Sequence, residues 1–180
     1  AYQTGYAKGR LEQATREGKV HIMPIYNPDW VSAPGDFQWS DPLFVERNVL
    51  VGSVGTFAGV HRFADLRGKR VGTILGYVYP TIEASFQKGG VIREDVAGLD
   101  QNFLKLQNGR IDALIDSDIL VAWRLKNAFP GFGLADFEIS RQTIRFGYAK
   151  SLPIDGSRIN ACLRKLKDTG QIDRILARYR

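Results

Sequence analysis

Cys162 is the only cysteine, so an internal disulfide and a cysteine zinc cluster are both excluded. Its place between Ile159 and Leu166 on an apolar helical stripe predicts a core residue. Histidine is almost as scarce. His21 and His61 are the only two and lie on separate segments without ligand spacing, so neither a metal nor another cofactor is expected. His21 falls in a predicted strand and reads as a structural residue. Long apolar runs are missing too: a bilayer span needs about 20 apolar residues, and the least polar stretch, residues 48–60, is broken by Gly52, Gly55 and Gly59. No membrane span is expected. The opening residues AYQTGYAKGR lack the apolar segment of a secretory leader, which fits a cytosolic or an already processed chain.

Concentrated charge is also absent. The net charge is +6, yet Lys and Arg are spread, with one modest cluster at Arg164, Lys165, Lys167, Arg174, Arg178 and Arg180. A nucleic-acid binder gathers such residues on one face, so this cluster reads as a solvated helix surface and no nucleic-acid partner is expected. Catalytic motifs fail on inspection. Gly68, Lys69 and Arg70 mimic the end of a phosphate loop, but Phe63 stands where its first glycine belongs and Arg70 where a hydroxyl should meet magnesium. Ser53 in VGSVG lacks the glycine two positions earlier that a nucleophile elbow requires. No nucleophile stands out, and the chain does not read as an enzyme.

What is present is enough for real cores: 180 residues, 44% of them hydrophobic, suit one ordinary domain or two small lobes. The organising stretch is Asp65 to Gly76, DLRGKRVGTILG, read as a turn, a buried strand over Val71 to Leu75 and a glycine exit toward a helix from Pro80 to Gln87. In open α/β sheets ligands collect beyond the carboxyl ends of such strands. Ahead of it, the pattern predicts a helix over Gly9 to Lys19, a strand over Val20 to Ile25, a long loop over Tyr26 to Pro42 and a strand over Phe44 to Gly52. Beyond it come a strand at Asp95 to Leu99, a helix capped by Asp100, a strand over Ile111 to Ile115 and a helix over Ser117 to Asn127. Strands at Phe137 to Ile139 and Thr143 to Ala149 follow. Two final helices carry Ile159, Cys162, Leu163, Leu166 and then Ile172, Ile175, Leu176, Tyr179, spaced as buried stripes about Gly170. Alternating strands and helices predict an α/β class with mostly parallel sheet.

Several runs taken in order resemble extracytoplasmic solute-binding proteins of family 3, the periplasmic receptors of amino-acid-type ABC transporters. They are GKVHIMPIYNPDW, FQWSDPLFVERNVLVG, DLRGKRVGTILG, LKLQNGRIDALIDSD, RFGYAK and the tail INACLRKLKDTGQIDRILARYR. The resemblance implies the two-lobed type II periplasmic binding protein fold, each lobe a mostly parallel sheet flanked by helices, with two hinge strands between them. Residues 1–52 and 143–180 would form lobe 1 and residues 53–142 lobe 2. It also implies a periplasmic protein that closes on a small polar or amino-acid-like molecule and delivers it to the membrane permease of an ABC transporter. The same fold serves as the sensing domain of membrane signalling receptors, which is the alternative reading; a dehydratase on this scaffold is a third.

Two departures from the family are visible. The usual opening strand, helix and strand of lobe 1 have no counterpart. The arginine that holds a ligand carboxylate in the family would align near Ala33, and no arginine lies between Lys19 and Arg47. Backbone amides at Tyr77 to Tyr79 are the remaining anion donors. The family's ammonium-binding aspartate aligns at Asp116 or Asp118, with helix capping as the competing role. Tyr26, Asn27 and Trp30 from the first-lobe loop and Tyr77, Val78 and Tyr79 from the second-lobe turn complete the candidate ligand site. Packing within its own loop is the competing role for each aromatic, as for Trp39 before the SDP turn.

Overall fold

A computed structural model describes residues 8–53 and 55–179. Residues 1–7, on which the reading of the leader rests, lie outside the described residues. The chain divides into two compact units, one running to Val45 and resuming over Gln142–Arg178, the other Glu46–Arg141 with Tyr179. Two strands, β3 (Phe44–Ser53) and β7 (Phe132–Ala149), run through the division.

In the first unit, helix α1 (Lys8–Arg16) precedes β1 (Ile22–Tyr26), two 3₁₀ turns at Pro28–Trp30 and Pro34–Asp36, and β2 (Phe37–Trp39). The stretch expected as an unbroken loop thus contains a short strand. Both β1 and β2 pair antiparallel with the end of β7, Met23 and Trp39 each opposite Gly147. That glycine is required by space, since a Cβ there would lie 2.7 Å from Met23 Cε. Met23, Tyr26, Val31 and Phe37 form the core of this unit, with Leu11, Trp30 and Trp39 against it. His21 lies just ahead of β1 and is exposed.

The second unit holds β7, β3, β6 (Ala113–Ser117), β4 (Arg70–Ile74) and β5 (Ile92–Val96) in that spatial order. Helices α2 (Glu83–Gln87), α3 (Leu99–Gln107) and α4 (Asp118–Asn127) connect or follow these strands. Pairs β4–β5 and β4–β6 are parallel, as crossovers through α2 and α3 require, whereas β3–β6 is antiparallel. The expectation of mostly parallel sheet therefore holds only around β4. Leu50, Val51, Val71, Leu114 and Ile115 have no exposed surface, and burying each such side chain is worth about 1.5–3 kcal/mol. The α3 helix sits tightly on β4 because position 72 is glycine. A Cβ there would overlap the Asn102 side chain and approach Ile111 Cδ1 to 2.6 Å.

Several elements differ from the sequence reading. The helix expected from Pro80 shrinks to Glu83–Gln87, because the chain first makes a turn in which the Ile82 and Glu83 amides both donate to Tyr79 O. The strand expected at Asp95 to Leu99 is β5, three residues earlier, drawn into register with β4. Gly98, not Asp100, is the N-cap of α3, and Asp100 instead pairs with Arg124 at 2.6 Å. The two strands expected at Phe137 and Thr143 are one continuous β7.

The largest difference concerns α5 (Gly156–Asp168) and α6 (Gln171–Leu176). Of the eight residues expected as buried stripes, only Leu163 is buried, while Cys162, Leu166, Ile175 and Tyr179 are exposed. Helical periodicity records that a helix has an apolar side; it does not record whether anything covers that side. Native protein should therefore react with a thiol reagent such as DTNB at one equivalent without denaturant, and a thiol that becomes reactive only on unfolding would contradict this placement.

One residue is strained. Ile25 has φ +54 at a register shift in β1, is 54% exposed, and is β-branched, the side-chain type least suited to the left-handed region. Such strain costs about 1–3 kcal/mol, and glycine adopts this conformation freely. Urea unfolding should show Ile25→Gly to be more stable than the parent by about 1 kcal/mol.

Candidate functional site

Strand β6 ends and helix α4 begins without a linking residue. Ser117 is both the last strand residue and the N-cap, its Oγ accepting from the Ile119 amide at 3.3 Å. This junction puts Asp116 and Asp118 on either side of the cap, both buried, at 9% and 6% exposure. Their situations differ. Asp118 Oδ1 accepts from the Arg47 amide and Oδ2 from Arg47 Nε, both at 3.1 Å. Neither aspartate performs the capping role, which Ser117 takes. Among the described residues Asp116 Oδ1 accepts one hydrogen bond, from the amide of the next residue, Ser117, at 2.7 Å.

A third carboxylate joins them, which the sequence reading missed. Glu46 is the first residue of the second unit and lies on β3, the strand paired with β6. Burial raises its pKa to about 7, partly offset by a hydrogen bond from Ser117 and reinforced by the charges of Asp116 and Asp118. Burial likewise raises Asp116 to about 6, against the opposing Ser117 amide. Among the described residues neither Glu46 nor Asp116 takes part in an ion pair. The signal available in the sequence was a charged residue two positions into FVERNVLVG, on the way into the buried run Val49 to Val51.

Two tyrosines lie within the influence of Asp116, and one of them within that of Glu46 as well. The turn after β4 is opened by Gly76 at φ +79 and carries Tyr77, Val78 and Tyr79. Burial and then the charges of Asp116 and Glu46 raise the Tyr77 hydroxyl, and burial and Asp116 raise that of Tyr79. Tyr77 and Val78 are 46% and 60% exposed, whereas Tyr79 is buried. The amide of Tyr77 donates to Ile74 O at 3.0 Å, so it is no longer an anion donor. The helix beyond has five residues and starts only at Glu83, which removes the dipole argument for an anion at this turn.

In the first unit, Tyr26 is buried and its hydroxyl donates to Glu12 Oε1 at 2.9 Å; its ring meets Trp30 edge-on at 5.7 Å. Asn27 is buried as well. Its Oδ1 accepts from the Asp29 amide at 2.7 Å and its Nδ2 donates to Thr143 O at 2.9 Å, so it caps the 3₁₀ turn and ties it to β7. Trp39 donates from Nε1 to Pro34 O at 3.0 Å, within its own loop. The structure thus groups Asp116, Tyr77 and Tyr79 with Glu46, and Tyr26 with Asn27 and Trp30.

No family model matches this chain, and no curated protein matches it in sequence. Solved structures do. AbpA of Streptococcus pneumoniae, an amino acid ABC transporter substrate-binding protein bound to L-arginine, aligns with a TM-score of 0.80 at 18% identity, over 98% of this chain and 74% of that one. The GluR0 ligand-binding core with L-glutamate aligns at 0.77 and 17% identity, covering 96% and 78%. AncCDT-1, an ancestral amino-acid-binding protein and precursor of cyclohexadienyl dehydratase, aligns at 0.74 and 19%, covering 93% and 72%. The chain has the type II periplasmic binding protein fold. At such identities the shared periplasmic binding protein fold does not by itself fix what the chain binds. Among the described residues no helix is long and apolar enough to cross a membrane.

The raised carboxyls fix the sign of a pH effect. A carboxyl whose pKa is raised by folding stabilises the protein below its ordinary value, 4.5 for Glu46, and that contribution is lost as pH climbs through about 7. Glu46→Gln should raise the melting temperature by a few degrees at pH 8 and leave it unchanged at pH 4, as scanning calorimetry at the two pH values will read.

Proposed function

We propose that this chain is an extracytoplasmic solute-binding protein that captures a small amine-bearing cation and presents it to the permease of an ABC transporter. The fold shared with amino-acid-binding proteins supports the class. The observation that carries the choice of ligand is Asp116: a buried carboxylate at a strand end whose charge acts on Glu46 and on the partly exposed Tyr77, with no basic residue paired to it among the described residues. An ammonium or guanidinium group supplies the missing charge, and the Tyr77 ring offers it a π face.

The chain's own loop argues against a free amino acid as the guest. No arginine stands between Lys19 and Arg47, and the Tyr77 amide is engaged, which leaves only the Val78 and Tyr79 amides of the candidate set to meet a carboxylate. Agmatine, which has an amine and a guanidinium but no carboxylate, should therefore bind more tightly than L-arginine.

Calorimetric titration with agmatine tests this reading. Asp116→Ala should weaken binding at least tenfold, and parent affinity should rise between pH 5 and pH 8 as the carboxyls lose their protons. Unchanged affinity in the variant would remove Asp116 from the site, and no binding of agmatine or of L-arginine by the parent would overturn the proposed ligand class.

A further inference from the structure

The Tyr77–Tyr79 turn is held by one side chain that no motif points to. Arg93, on β5, donates from Nη2 to Tyr77 O at 2.8 Å and from Nε to both oxygens of Asp95 at 3.0 and 3.2 Å. Its Nη1 lies 3.7 Å from Glu83 Oε2 at the start of α2, and that carboxylate oxygen is buried with no hydrogen-bond partner. The guanidinium carbon stands 5.6 Å from the centres of both the Tyr79 and Phe86 rings. Asp95 is fixed in turn, accepting from Thr73 Oγ1 at 2.7 Å on the strand that leads into the turn. A planar fork with five donors can satisfy a carbonyl, a carboxylate and two ring faces together, which an ammonium cannot.

We infer that Arg93 is the positioning residue of the proposed ligand site: it fixes the Tyr77–Tyr79 turn and holds the Tyr79 ring, and Tyr77, the more exposed of the two, is the aromatic that touches the guest. The inference rests on the ligand-site reading above for its second half only. Exposure agrees with the division of labour, Tyr77 being 46% exposed and Tyr79 3%. Asp95 and Glu83 balance the Arg93 charge, so the clamp adds no net positive field beside Asp116 and Glu46.

The test uses Arg93→Gln and Arg93→Lys of the whole chain, followed by amide hydrogen exchange and by agmatine titration. Both variants should speed exchange at residues 77–79 at least tenfold while Val71 and Leu114 exchange as in the parent. Lysine should fail to rescue. In the titration, Tyr77→Ala should weaken agmatine at least fivefold and Tyr79→Phe should change it less than twofold. Unchanged exchange at the turn, an equal rise at Val71 and Leu114, rescue by lysine, or equal losses for the two tyrosine variants would each overturn the inference. If the parent binds no agmatine, the ligand reading fails while the exchange experiment still decides whether Arg93 is the clamp.

Discussion

Drawing Asp116 fully and Glu46 partly out of water, with no ion pair to either among the described residues, is the constraint on which the second unit turns. Among the described residues Ser117 compensates both Glu46 and Asp116, by one hydroxyl and one amide. A buried charge so sparsely served shifts toward its neutral form, and the shifts of both groups record that cost. Asp118, a few ångströms of chain away, illustrates the alternative: the Arg47 side chain and amide settle it. The same strand end therefore holds one carboxylate paired with an arginine and one that, among the described residues, has only a backbone amide. Functional sites are where proteins tolerate such imbalance.

Much of the fold was legible in the sequence, for reasons that can be named. Val49 to Val51 and Ile111 to Ile115 are short apolar runs bounded by polar residues and glycine, and they form the buried heart of the second unit's sheet. Asp116 was legible because it ends such a run. Glu46 was not, since a charged residue in an alternating strand ordinarily faces water, and its half-buried place beside Ser117 emerges only in the folded chain. Arg93 was still less visible: its partners Tyr77, Glu83 and Asp95 lie on three segments that only the folded chain assembles.

The misjudged elements share one cause. Periodicity and capping residues are local, whereas coverage and register are not. The α5–α6 stripe has ideal helical spacing and stays largely open, and Asp100 looks like a cap but serves Arg124 instead. In the first unit, Tyr26 and Asn27 show the converse: side chains suited to touch a ligand are bound into Glu12, Asp29 and Thr143. Polar aromatic and amide groups near a loop are as often fasteners as contacts.

The direct passage from β6 into α4 has a consequence for how this protein can change. With Ser117 serving both elements, an inserted residue would rotate everything after it by about 100° about the helix axis and carry the acidic rim out of alignment. Length variation, the commonest way for a scaffold to acquire new tastes, is closed at this position. Change at this junction would have to come by exchange of individual side chains, on a frame that stays the same size.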